Sequence, residues 1–445
     1  MCPVRLHLIE GVYPIFLLYI EIPVIMKPYL KIKNIGAIKE AQIEIYKVNI
    51  FIGPQSSGKS TIAKIISFCQ WLEKDVLIHQ GKNHIDSTYW EKNLFTYHKI
   101  GSYFNKESNI EYIGDIVSFI FHSPDSFTVD ARNLDKETMR KITYIPSERN
   151  YVNIPNISSL PMNDDYIRDF IFDWLLIRNK YSQEAPQDII DLGVQYHYDK
   201  NRGDIITLGN GKDINLNEAS RGLQAVSPLL VSLSYSTEWI YSHNQDLSFD
   251  KFSTLHKTFI KEIYKKDDIP SIMFEDAKLK QITAELFSSL QQVNNEVNIH
   301  EDLKDDANLV NRLGRPHSTF MIIEEPEENL FPSTQYELIK HIFVAINRNK
   351  ENALVMTTHS PYIMTSINNL IQAGNIIKSN EATEEQINSI IRSNAYINYE
   401  EVSAISILDG YVHSMKDDEF QLISAISLDT ASDIINEDFE KLLNL

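Results

Sequence analysis

The chain has 445 residues, enough to bury one large core or two smaller ones, and its 43% apolar and 23% charged residues are ordinary for a globular protein. A net charge of −19 excludes bulk attraction to a phosphate backbone. Nucleic-acid contact would need a local basic patch, whereas lysines and arginines are scattered among carboxylates, as across residues 261–268. Two cysteines, Cys2 and Cys69, exclude a disulfide framework and point to a reducing cytoplasm.

Residues 1–25 read as an extension. Gly11 to Ile25 is apolar but broken by Pro14, Glu21 and Pro23, and falls short of the about 20 apolar residues that cross a bilayer. Arg5 could head a signal peptide, yet no small-x-small cleavage site follows; the alternative is a translation start at Met26. No membrane anchor is expected. Residues 26–445 read as a single domain. Short strands over Tyr29–Lys33 and Ala41–Ile45 meet around Gly36, and an apolar strand, Val48–Ile52, leads through a glycine-rich loop into a helix over Lys59–Trp71. Ile62, Ile65, Ile66 and Cys69 give that helix one buried face.

Residues 72–140 are polar and aromatic with weak periodicity, and are expected to form an inserted arm. His79 and His84 lie five apart with Gly81 between them, which is not the spacing of one helix face, so no metal pair is expected there. A strand over Ile142–Ile145 runs into Pro146–Asn150. The middle, 155–315, reads as mostly helical, with a hairpin near Gly203, a turn over Leu208–Gly211 and a helical insertion at about 238–315. Strands return at Thr319–Ile323 and Leu354–Thr358 around an amphipathic helix, Pro332–Asn347, which argues for parallel pairing in an α/β sheet. An Asp409-Gly410 hairpin follows, then a helix over 432–443 with Ile434, Ile435, Phe439 and Leu442 on one stripe.

Gly53-Pro54-Gln55-Ser56-Ser57-Gly58-Lys59-Ser60 fits G-x-x-x-x-G-K-[S/T] between a buried strand and a helix. Its glycines let backbone N–H groups turn toward an anion, and the helix N-terminus adds a favourable dipole. Lys59 would reach the β- and γ-phosphates of ATP, Ser60 would bind Mg²⁺, and Thr61 completes the cradle.

Phe320–Ile323 leads into Glu324-Glu325-Pro326-Glu327. A strand ending in two carboxylates suits metal-assisted phosphoryl transfer, with Glu324 in the metal role and Glu325 as the base that orients water. Neighbouring strand residues point to opposite faces, so the strand must already be turning, which Pro326 favours. Leu354–Thr358 ends in His359-Ser360-Pro361, placing His359 at a strand-to-helix edge as a γ-phosphate contact. Ser360 and Pro361 read as a helix start and Gly374 as its stop.

Together these pieces resemble the ABC-type ATPases outside the transporters, with the structural-maintenance, RecF-like and OLD-like AAA-family proteins. The resemblance implies an α/β P-loop NTPase fold of ABC-ATPase type, a mixed central sheet flanked by helices, with helical insertions. It also implies a signature loop that completes the site from an opposite subunit. Ser220-Arg221-Gly222-Leu223-Gln224 is the candidate, with Ser220, Gly222 and Gln224 as nucleotide contacts. Arg221 replaces the family's first glycine, Leu223 is added, 104 positions separate Ser220 from Glu324, and Pro228 implies that the signature helix is kinked or begins there. Glu325–Pro332 resembles the E-P-E-x-x-L-x-P run of OLD-like proteins, and Tyr144–Asn150 their Y-I-P-x-E-R segment, which makes Glu148 and Arg149 candidate nucleotide sensors.

No D-x-D follows His359, so a Toprim nuclease domain is not expected, and no long heptad run marks a structural-maintenance arm. A compact ATPase without its own nuclease resembles the stand-alone ATPases of anti-phage systems such as Septu and PARIS. The implied function is a cytoplasmic ATP-hydrolysing switch, a homodimer or higher oligomer through the ATP site, controlling a separate effector such as a nuclease. A RecF-like repair ATPase that clamps nucleic acid is the competing possibility; a transporter motor ranks last.

Overall fold

A computed structural model describes residues 27–136, 139–157, 160–242, 316–424 and 430–443. The expectations for residues 1–25 and for most of the insertion at 238–315 lie outside them.

Eleven strands form one mixed sheet. Its centre is three strands buried along their whole length: β3 (Val48–Ile52), β12 (Ser318–Glu324) and β13 (Ala353–Thr358). Continuous apolar runs of this kind belong to parallel strands covered on both faces. With β7 (Arg140–Ile145) and β14 (Val402–Leu408) they lie in the order β14-β3-β13-β12-β7, every neighbouring pair parallel. Alternate residues divide between two cores: Phe51, Phe320, Ile322 and Val355 face one, Ile50, Met321, Ile323, Leu354 and Met356 the other. The first core is closed by α1 (Lys59–Ile78) and the second by α2 (Tyr166–Ile177), α3 (Arg221–Ser234), α4 (Pro332–Asn347) and α5 (Pro361–Ser379).

The hairpin of β1 (Tyr29–Ile35) and β2 (Ile38–Glu44) continues the sheet beside β15 (Tyr411–Ser414), which pairs with β14 across the Asp409-Gly410 turn. Residues 72–140 are not an inserted arm. Their first part prolongs α1 to Ile78, and their second adds β4 (Asn109–Ile113), β5 (Val117–Ser123) and β6 (Ser126–Ala131) as an antiparallel meander that joins the main sheet through the β4–β1 pair. The buried set Ile110, Tyr112, Val117, Phe119 and Phe121 alternates with half-buried or exposed residues, the two-residue period of a half-buried strand. Trp90 and Phe68 cap this face, with the rings of Trp90 and Phe121 centred 4.7 Å apart.

The described part of the middle, up to residue 242, is less helical than expected. Between α2 and α3 a separate antiparallel sheet holds β8 (Gln187–Asp188), β9 (Gln195–Asp199), β10 (Gly203–Thr207) and β11 (Asp213–Asn215), with the expected hairpin and turn at Gly203 and Leu208–Gly211.

Two helix ends are corrected. Gly374 does not stop α5; it lies inside that helix, where the Ile397 carbonyl comes too close for any Cβ, and the stop is Asn380 in the left-handed region at φ 57°. Pro228 does not begin the helix that carries it, because α3 starts at Arg221 and runs past it to Ser234. A proline lacks the N–H that would bond the carbonyl four residues earlier. That carbonyl, of Gln224, instead accepts from Asn153 Nδ2 at 3.2 Å. The C-terminal helix, α6 (Thr430–Leu443), leaves Phe439 and Leu442 of its expected stripe exposed.

Candidate active site

The candidate site lies at the carboxyl ends of β3, β13, β12 and β7, the edge where an open α/β sheet forms its crevice. Parallel pairing sets these ends side by side, so segments three hundred residues apart meet there.

The loop after β3 turns through Ser56 at φ 59° and Gly58 at φ 105° into the first turn of α1. A side chain at Gly58 would be strained by that φ and would collide with the Ile38 side chain. Pro54, Gln55 and Ser56 face solvent, Gly53, Ser57 and Ser60 are half-buried, and Thr61 is buried in the first turn of α1. Lys59 is buried, and its Nζ donates to the carbonyls of Gly53 at 2.9 Å and Pro54 at 2.8 Å. Burial lowers its pKa to about 8, against the upward pull of Glu325 and Glu327. The Ser57 hydroxyl is buried without a hydrogen-bond partner.

Lys59 Nζ stands 3.4 Å from His359 Nδ1, and His359 Nε2 is 3.1 Å from Glu325 Oε1. One imidazole therefore bridges the phosphate loop and the proposed base. Glu325 follows the last residue of β12 and lies at φ 43°, a left-handed position that strains a residue of this size. That sharp turn is how adjacent carboxylates, which a straight strand would send to opposite faces, come to serve one crevice. The Glu325 N–H donates to the Thr357 carbonyl at 3.0 Å, which ties the turn to β13.

Glu324 is buried at 2% exposure, and its Oε1 has no hydrogen-bond partner. Burial pushes its carboxyl upward, while Lys64, the Ser60 hydroxyl and Tyr144 hold it down. A buried carboxylate with an unpartnered oxygen beside a serine hydroxyl fits Mg²⁺, and Ser60 and Glu324 would hold it.

Two further residues organise the site. Glu327 Oε1 accepts from the His359 N–H at 2.6 Å and from Thr358 Oγ1 at 2.8 Å, fixing the backbone that presents the imidazole. Sequence reasoning assigned Glu327 no role of its own; its place in the acidic turn was the available signal. Arg149 is fully buried. Its guanidinium donates to the carbonyls of Glu324 at 2.9 Å, Glu325 at 2.7 Å, Pro146 at 3.2 Å and Ala225 at 3.0 Å, and pairs with Glu328 at 3.4 Å. Arg149 is thus turned inward, joining the acidic turn, the segment after β7 and α3. Glu148 stays nearer the crevice, accepting from the Ser147 hydroxyl at 3.2 Å and the Tyr166 hydroxyl at 3.3 Å.

The signature candidate is a separate loop on the same molecule. Ser220 caps α3 by accepting from Leu223 N at 3.4 Å and is exposed. Gly222 packs on the acidic turn, where a Cβ would stand 2.9 Å from the Asn329 carbonyl. The Gln224 amide is bonded within its own loop, to the carbonyls of Asn217 and Ala219, both at 2.9 Å, and it accepts from Arg221 at 3.0 Å. Among the described residues no hydrogen bond joins Ser220, Gly222 or Gln224 to Lys59, Glu325 or His359.

No helix among the described residues is long and apolar enough to cross a membrane. A family model described as an AAA ATPase domain matches residues 312–364, which hold Glu324, Glu325 and His359. No curated protein matches the chain. Among solved structures, the chain is similar to the SMC head domain from Thermotoga maritima, at 10% identity and a TM-score of 0.34, covering 87% of this chain and 97% of that one. It is similar to an SMC head from Pyrococcus furiosus bound to the C-terminal domain of ScpA, at 9% identity and a TM-score of 0.33, covering 92% and 99%. It is also similar to the recombination mediator protein RecF, at 12% identity and a TM-score of 0.29, covering 88% and 99%. The phosphate-loop motif between β3 and α1 and the mixed sheet flanked by helices give the chain an α/β fold.

Proposed function

We propose that this chain is an ATP-binding and ATP-hydrolysing switch whose nucleotide site is composed from two copies and which controls a separate effector. The observation that carries the proposal is the unbroken line of contacts from Lys59 through His359 to Glu325 in one crevice. Backbone N–H groups of residues 53–61 and Lys59 would hold the phosphates. Ser60 and Glu324 would hold Mg²⁺, which when bound neutralises charge on the β- and γ-phosphates. Glu325, with its carboxylate oriented by His359, would position water and take its proton. The exposed Ser220 loop of a second copy would supply an N–H cradle for the γ-phosphate, which no bond within one copy provides.

An acidic chain that carries nucleotide chemistry without a nuclease motif suits a gate for another protein better than a clamp on a phosphate backbone. We place that gate in the cytoplasm, with anti-phage defence the setting whose ATPases it resembles. Glu325→Gln should bind ATP as tightly as the parent while turnover falls about 10²–10⁴-fold, and its mass should double with ATP. Parental turnover in that variant would remove Glu325 from the base role, and a single-copy mass with ATP bound would remove the composite site.

A further inference from the structure

The far end of α1 carries a second constellation. Asp75 lies on its last turn, His79 four residues on caps the helix just past Ile78, and His84 returns from the loop that follows. His84 Nε2 lies 2.7 Å from Asp75 Oδ2 and His79 Nδ1 lies 3.4 Å from Asp75 Oδ1. The three ligand atoms all fall within 4.8 Å of one another. Ligands 2.0–2.1 Å from a tetrahedral ion stand roughly 3.3 Å apart, so small side-chain adjustments would seat one ion among them. The expectation that His79 and His84 form no metal pair rested on their five-residue spacing; the loop through Gly81 removes that obstacle, and Asp75 supplies the third ligand.

The surroundings favour a cation. The Asp75 side chain is only 8% exposed, and among the described residues no lysine or arginine pairs with it. The helix C-terminus directs its partial negative charge at the same place. The buried Tyr89 hydroxyl lies beside Asp75. Lys82, midway along the loop, is held by the Val129 carbonyl and Asp130 of β6, which fixes the path that delivers His84.

We propose that Asp75, His79 and His84 form a binding site for a divalent transition-metal ion of the Zn²⁺ class. Two imidazoles and one carboxylate select such an ion over Mg²⁺ or Ca²⁺, which prefer oxygen ligands. The ion would tie the end of α1 to the loop that leads to the short helical turn Ser87–Trp90. Neither nucleotide binding nor hydrolysis is needed for it.

The test is a ZnCl₂ titration of the full chain, stripped with chelator and desalted, read by a competing chromogenic chelator and by thermal melting. The expected result is one Zn²⁺ per chain with a raised melting temperature. His84→Gln and His79→Gln should each weaken binding at least about tenfold and abolish the shift, whereas Ser60→Ala with Glu324→Gln should leave both unchanged. Because the two histidines are partly exposed, their variants should fold even if Asp75→Asn does not. Zn²⁺ binding by His84→Gln at the parental affinity, or no saturable binding by the parent, would overturn the proposal.

Discussion

Arg149→Met tests whether one buried guanidinium holds the catalytic turn in place. The parent side chain makes four hydrogen bonds to carbonyls and one ion pair. Methionine replaces its aliphatic length but none of these bonds. The Pro146 carbonyl still receives the backbone N–H of residue 149, and the Glu325 carbonyl that of Glu328 at 3.1 Å. Ala225 stays within the ladder of α3, so the orphaning falls mainly on the Glu324 carbonyl, at about 1–3 kcal/mol. Loss of the charge also removes the ion-pair partner of Glu328, which is half-buried and keeps its bond from Asn150 Nδ2 at 3.0 Å, at a further cost of about 1 kcal/mol. The expected destabilisation is therefore about 2–4 kcal/mol, measured as a lower urea midpoint at unchanged slope. Turnover should fall at least about tenfold with ATP affinity little changed, because the guanidinium holds the base's backbone and touches no residue of the phosphate loop. Arg149→Lys should rescue little, since an ammonium cannot present the planar fork that reaches four carbonyls. A methionine variant within about 1 kcal/mol of the parent, with parental turnover, would refute the role.

Nucleotide affinity should be level up to about pH 8 and then fall by up to tenfold per pH unit, because Lys59 ionises near 8 when free and must be charged to hold phosphate. A fluorescent-nucleotide titration from about pH 7 to 9.5 checks this, and a flat profile would remove Lys59 as the charge that matters. The sign for stability is opposite: the lowered pKa works against folding while Lys59 is charged, and that burden lifts as pH rises from about 8 toward the ordinary lysine value of 10.5. Gly58→Ala should cost about 1–3 kcal/mol in denaturant and lose ATP binding, through φ strain and the clash with Ile38; parental binding would show that the loop can open. Ser220→Arg and Lys59→Ala proteins, each inactive, should partly restore turnover when mixed, and a formed heterodimer without activity would exclude shared sites.

The chemistry-bearing segments were legible because each is a local event: an apolar strand that ends in glycines, in carboxylates or in a histidine. Gly53–Thr61, Glu324–Glu325 and His359 could be singled out as candidates before any pairing was known. What the residues could not state was which strands lie side by side, and the order β3-β13-β12-β7 is what turns separate motifs into one crevice. The outer strands β4 to β6 were hidden for a related reason. Their alternation of residues such as Ile110, Tyr112 and Phe119 gains meaning only from pairing with β1, more than sixty residues away. Arg149 was read as a nucleotide sensor from the resemblance of Tyr144–Asn150 to a Y-I-P-x-E-R segment; its carbonyl partners come from its own segment and from two distant ones, α3 and the acidic turn. Likewise, Asp75 and His84 meet only once a helix has ended.

Pro228 leaves α3 one internal bond short, and Asn153 fills the gap from outside. The helix that carries Ser220 is therefore stitched to the segment after β7 and does not ride free on its own ladder. Any shift of that segment on nucleotide turnover would drag the Ser220 loop with it. In the composite site proposed above, a subunit would in this way announce the state of its own pocket to its neighbour.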